Sequence, residues 1–195
     1  MKKVNLLMTL TLLSVISVFG QTKWTFDKAH TSILFSIDHM VISEVVGKFE
    51  KFDGTVETKS DKDFTDAKIK LTIDVKSINT DNEERDKHLK SPDFFDAEKY
   101  PTIKFESTSM KKLNGNFYLL KGKLTMHGIT KEVELEVKYN GTVKDPWGNI
   151  KAGFKVVGTI NRKDFGIVYN STLESGGLLI GEEVRINCNV ELIKL

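Results

Sequence analysis

Few side chains in this sequence can do acid–base, metal or thiol chemistry: four histidines, His30, His39, His88 and His127, and a single cysteine, Cys188. A zinc site takes its ligands at short spacing, two on one helical turn or two thiolates in a knuckle. Here no two histidines share a turn, each falls on a different predicted element, and no thiolate lies beside any of them. No metal and no cofactor is therefore expected, and the histidines read as capping, hydrogen-bonded or exposed groups. His39 stands apart. It shares parity with Ile33, Phe35 and Ile37 and so points the same way at the end of their strand. A buried imidazole needs hydrogen-bond partners. His39 thus reads either as a satisfied core histidine or as a polar group at one end of an apolar cavity.

Arg85, Asp86 and His88 are of the right types to recognise an anion, and equally to tie a surface helix to the fold as a solvated charge cluster. In "NRKDFG", Arg162, Asp164 and Gly166 read as a tight turn with Phe165 tucked in. There is no G-x-S-x-G, no Ser/His/Asp order and no glycine-rich turn between strand and helix, so neither an activated serine nor a nucleotide site is indicated. The glycines at 176–177 read as loop. A hydrolase would require two or more of His30, His39, Asp86 and His88 to converge. No catalytic residue is assigned, and the sequence reads as a binding protein rather than an enzyme.

The elements that must position these residues are strands. In "AKIKLTIDV" Ile69, Leu71, Ile73 and Val75 alternate with Lys68, Lys70, Thr72 and Asp74. In "EVELEVKY" Val133, Leu135, Val137 and Tyr139 oppose a row of Glu and Lys. Near the end Val184, Ile186, Cys188, Val190 and Leu192 do the same. Period-two alternation marks a half-buried strand. Weaker versions cover Ser32–His39, Val45–Val56, Ile103–Ser109, Phe117–Leu124 and Lys151–Ile160. Turn signals fall at 114–116, 127–128, 140–141 and 145–149. About eight such strands make an antiparallel meander whose apolar face must close on itself or on a second sheet. One helix interrupts it, from about Asp81 to Lys90, opened by a capping box of Thr80 and Glu83 and stopped before Pro92.

The segment "RDKHLKSPDFFDAEKYPTIKF" leaves that helix and becomes a strand. It sets Phe94 and Phe95 between charged neighbours, where a connection is normally polar. Either it packs down as a lid or it lines a cavity for something apolar. Phe35, Phe49, Phe94, Phe95, Phe105 and Phe154 supply more large apolar groups than a filled small barrel needs.

Residues 1–20 have two lysines, an apolar run from Val4 to Phe19 and a small residue at Gly20. This is the pattern of a secretory signal peptide, with cleavage expected near Gly20 and residues 21–195 forming one domain. Such a protein is periplasmic or secreted and keeps no integral membrane segment. Loss of Lys2 and Lys3 takes the 29 basic residues to 27, against 27 acidic ones. A neutral, evenly mixed surface excludes nucleic acid as a partner. With one cysteine no internal disulfide forms, so stability rests on the core.

The runs "WTFDKAHTSILFSIDHM", "VGKFEKFDG", "SINTDNEERDKHLKSPDFFDAEKYPTIKF", "GKLTMHGITKEVELEV" and "GFKVVGTINRKDFGI" occur in the order found in the YceI-like, polyisoprenoid-binding family. The likeness extends from Trp24 to the last strand. The resemblance implies an all-β fold: an extended lipocalin-like antiparallel eight-stranded β-barrel, with the short helix inserted near residues 81–90. It also implies binding, sequestration or transport of a polyisoprenoid, an isoprenoid quinone or a similar long-chain lipid. The residues expected to line that pocket are Phe35, Ile37, His39, Phe49, Leu71, Ile73, Phe94, Phe95, Phe105, Leu135 and Phe154. A homodimer stays open, as does a filled barrel acting as a stress or interaction module.

Overall fold

The structure, a computed structural model, describes residues 21–172 and 176–195. The leader at 1–20 lies outside the described residues. The alternating stretches pair into one sheet of eleven strands. These are β1 (Thr22–Phe26), β2 (Ile33–His39), β3 (Ser43–Phe49), β4 (Phe52–Thr58), β5 (Lys68–Asp74), β6 (Ile78–Asn79), β7 (Thr102–Lys112), β8 (Phe117–Met126), β9 (Ile129–Lys144), β10 (Ile150–Asn161) and β11 (Ile180–Lys194). Eight of them close a ring in the order β1-β4-β5-β7-β8-β9-β10-β11, with β11 returning to β1, and every pairing is antiparallel. The barrel thereby has no free edge around its girth.

Two long paths bend where they change partner. β11 pairs with β1 at its C-terminal end, Leu192 opposite Phe26, and with β2 toward its start, Ile186 opposite Phe35 and Ile180 opposite His39. β1 and β2 thus lie end to end along one strand. The stretch read as a single strand from Val45 to Val56 is likewise two, β3 and β4, broken at Glu50–Lys51. Phe49 pairs with Ile78 of β6, whereas Phe52 pairs with Ile73 of β5. Ser77 serves the break: its carbonyl accepts from Glu50 N–H and its hydroxyl from Lys51 N–H. β2, β3 and β6 therefore extend one end of the barrel, and the helix α1 (Glu83–Lys90) follows directly from β6.

Two local readings are corrected. The helix cap is Asn82, whose side chain accepts from Arg85 N–H, and not Thr80. The Thr80 hydroxyl and N–H both go to Asp86, and Arg85 donates to the Thr80 hydroxyl at 2.7 Å and to its carbonyl at 2.6 Å. The cluster of Arg85 and Asp86 accordingly fastens α1 to the end of β6. "NG" at 140–141 is not a turn. β9 runs through it, with Gly153 opposite Gly141 and Phe154 opposite Tyr139, so Asn140 is an extra residue in a bulge and Gly141 has φ +124°. The reversal comes at Asp145–Asn149, where the Asp145 carboxylate accepts from the N–H groups of Trp147 and Asn149.

The end of the barrel away from α1 is filled. The connection from β4 to β5 turns Phe64 inward, 1% exposed. Its ring centroid lies 4.8 Å from Phe154, 5.3 Å from Tyr139 and 5.5 Å from Trp24. Trp24 is fully buried and donates its indole N–H to the Thr58 hydroxyl at 2.9 Å, which satisfies its only polar atom.

Candidate functional site

Above Phe64 the inward faces of the strands do not meet. They enclose a cavity of about 590 Å³. The apolar parity read from β5, β9 and β11 points into it: Ile69, Leu71 and Ile73, then Val133, Leu135 and Val137, then Val184 to Leu192 in alternation. An eight-stranded barrel is wide enough either to be filled by side chains or to hold one slender ligand. Glycines help decide the matter here. A β-carbon at Gly47 would stand 2.4 Å from the Phe35 ring, and one at Gly122 would stand 2.3 Å from the Phe105 ring. Each ring therefore lies over a glycine, close against the wall, and leaves the middle open.

All the residues named from the sequence as lining a pocket, from Phe35 through Phe154, stand on this cavity. Phe94 and Phe95 do so from the connection after α1, which is held by its own turns: Phe94 N–H donates to Ser91, Phe95 N–H to Leu89 and Asp96 N–H to Ser91. Phe94 packs at 5.0 Å on Tyr169 and 4.9 Å on His88. Phe95 meets Phe49 edge-on at 6.0 Å. The pair packs down and lines the cavity at once, and with Leu89 it forms the underside of the helix end.

The charged and imidazole groups of the lining are Asp38, His39, Glu84, Arg85, His88 and Arg162. They come from the end of β2, from α1 and from the turn after β10, all at the end opposite Phe64. Asp38 and Glu84 are exposed, so the cavity reaches solvent there. Asp38 is held at 2.5 Å by Arg185, which keeps its carboxyl below the ordinary range; Arg185 also binds Glu44, whose carboxyl is held low by the Ser36 hydroxyl first and by Arg185 second. His39 is half-buried, and its ring has no hydrogen-bond partner among the described residues.

Sequence reasoning missed Phe64, Tyr169 and Arg162. Arg162 is 3% exposed. It donates through Nε to the Gly181 carbonyl and through Nη1 to the Ile167 carbonyl, both at 2.8 Å, while Nη2 has no partner among the described residues. The turn reading of its segment was otherwise close: residues 162–165 form a 3₁₀ turn ended by Gly166 at φ +75°, with Phe165 1% exposed.

The histidines are not assembled. His88 bonds Asp93 at 2.9 Å, and His127 bonds the Phe165 carbonyl at 3.1 Å while packing on Tyr100. His30 sits with Asp27 and Glu191, the one trio among the described residues with metal-ligand spacing. Lys151 already occupies that trio, 2.8 Å from each carboxylate. Burial would raise the pKa of Asp27, yet Lys151, His30 and the Ala29 N–H together hold it far below the carboxylate range. The cluster acts as a clasp between β1, β10 and β11.

Cys188 lines the cavity and is 6% exposed; burial pushes its thiol up from the ordinary cysteine range. A polar thiol reagent is expected to modify it more than about tenfold more slowly in the native protein than in the unfolded chain. Occupancy of the cavity should slow a small apolar reagent as well. Equal rates in native and unfolded protein would contradict the inward orientation of β11.

No helix among the described residues is long and apolar enough to cross a membrane. The YceI-like domain family matches residues 24–192. A UPF0312 protein of Staphylococcus aureus is 42% identical over 171 residues, covering 87% of this chain and 96% of that one. The Campylobacter jejuni YCEI protein superposes with a TM-score of 0.67 at 31% identity, covering 88% of this chain and 97% of that one. A polyisoprenoid binding domain from Saccharophagus degradans has the same fold, with a TM-score of 0.64 at 14% identity and coverages of 88% and 98%.

Proposed function

The chain belongs to the YceI-like family, and from that premise we propose that it binds one long-chain isoprenoid, isoprenoid quinone or comparable amphiphilic lipid inside the barrel, as an exported carrier or sequestering protein. The observation that carries this reading is the cavity itself, walled by apolar side chains, plugged at Phe64 and polar only at its open end. That gradient suits a molecule with a long apolar tail and a polar head. Burying the tail contributes roughly 0.8 kcal/mol per methylene before the losses of binding are counted. The S. degradans domain of the same fold is a polyisoprenoid binding domain, and the cavity here has the chemistry for a similar tail. Family membership and cavity support a binding protein rather than an enzyme. Export is read from the basic head and apolar run of residues 1–20.

One preparation tests the whole reading. Protein recovered from the exported fraction of its native host should begin near Gln21. Organic extraction followed by mass spectrometry should release a long isoprenoid, quinone or fatty-chain compound in near-stoichiometric amount. A product retaining Met1 in the membrane would remove the export claim. An empty extract, with no uptake of added isoprenoid or quinone by folded protein, would remove the carrier and leave a barrel used for interaction alone.

A further inference from the structure

The open end of the cavity holds a cation that the protein leaves partly unsatisfied. Arg162 lies on the lining, is 3% exposed, and spends Nε and Nη1 on the carbonyls of Gly181 and Ile167. Those bonds fix the plane of the guanidinium and leave Nη2 buried without an acceptor among the described residues. A buried donor on a charged group is costly when unpaired. The carboxylates close to it in the fold are engaged elsewhere: Glu182 with Lys163 at 2.5 Å and Asp38 with Arg185. Gly181 packs against Asp38 and is next to Ile180, which pairs with His39, so Arg162 belongs to the polar end of the cavity and not to its apolar floor.

We propose that Arg162 is the head-group receptor of this cavity: an entering ligand parts the side chains that cover Nη2, which then donates to an anionic oxygen at the end of a single long chain, with His39 on the same polar end of the lining. The head is a carboxylate or a phosphate; the tail is the one the preceding reading places along the barrel, on which this assignment rests. Guanidinium is suited to both oxyanions, because its N–H groups are planar, permanently charged and here already oriented. A neutral alcohol or ester of equal length offers the same tail without the charge-assisted bond.

The test compares heads on matched tails with the wild-type barrel. Purified protein, stripped of lipid, is titrated with palmitate, hexadecanol and methyl palmitate, and separately with farnesyl phosphate and farnesol. Each anionic ligand is expected to bind about tenfold or more tightly than its neutral partner; the two series tell a fatty acid from a prenyl phosphate as the better ligand. In Arg162→Met the advantage should fall to within about twofold, while the neutral ligands keep their affinity. Arg162→Lys, which retains charge without the fork, should keep only part of it. Glu174→Gln removes the carboxylate of residues 173–175 and should leave the preference unchanged. If neutral and anionic heads bind the wild type equally, or if the preference survives in Arg162→Met, the head-group assignment is overturned while the lipid cavity stands. If no long-chain compound of either kind binds, the cavity reading itself fails. The wild-type comparison decides the matter even where Arg162→Met does not fold.

Discussion

Phe64→Ala is expected to lower the stability of the barrel by about 3–5 kcal/mol, the range for removing a fully buried aromatic ring from a packed site. Phe64 is 1% exposed and packs against Trp24, Tyr139 and Phe154, so its loss leaves a void between rings that are themselves held by strands β1, β9 and β10. Those strands are fixed by ring closure and cannot collapse into the space. Denaturant unfolding at unchanged m-value measures the loss. The same variant should hold lipid less well, because the void joins the cavity to the far end of the barrel. A loss below about 1 kcal/mol would mean that the far end is not sealed by this ring.

Phe105→Asp should abolish lipid retention. Phe105 is 7% exposed, pairs with Leu71 on β5 and Leu124 on β8, and lies over Gly122 in the middle of the wall. A carboxylate there has no cation in reach on the apolar inner face of its strand. It either stays charged at high cost or takes up a proton, and in both states it brings water into the path of the tail. Extraction and mass spectrometry of the variant should find no bound chain. Phe105→Leu serves as the folding control and should retain lipid. If the aspartate variant has a native circular dichroism spectrum and still carries a stoichiometric chain, the ligand does not pass the middle of the barrel.

The parity of β5, β9 and β11 could be read from residue types alone, because a half-buried wall imposes period two on every strand it contains. That parity put Leu71, Leu135 and Cys188 on the inner face. What escaped depended on partners distant in sequence. The five residues of β1 are too short to show alternation, though they close the ring. The break at Glu50–Lys51 arises because β3 and β4 pair with different strands, which no local pattern encodes. "NG" at 140–141 is chemically fit for a turn or a bulge, and the register with β10 chose the bulge. Thr80 was a good cap in isolation but was taken by Asp86 and Arg85. Arg162 stood in a charged run that reads as surface. It is buried by the carbonyls of Gly181 and Ile167, the first of them nineteen residues away.

The plug at Phe64 closes one end of the cavity and leaves, among the described residues, the polar end as its door. The long-chain ligand proposed for it would then not thread through the barrel; it would go in tail first and come out head first, past α1 and the tip of β2. The next molecule has no way in until the last has gone. Replacement of one cargo by another is then strictly dissociative, at a rate that does not rise with the concentration of the newcomer. For the proposed carrier, donor and acceptor would each visit the same rim in turn, so handover would take two separate encounters and never a relay through the middle of the protein.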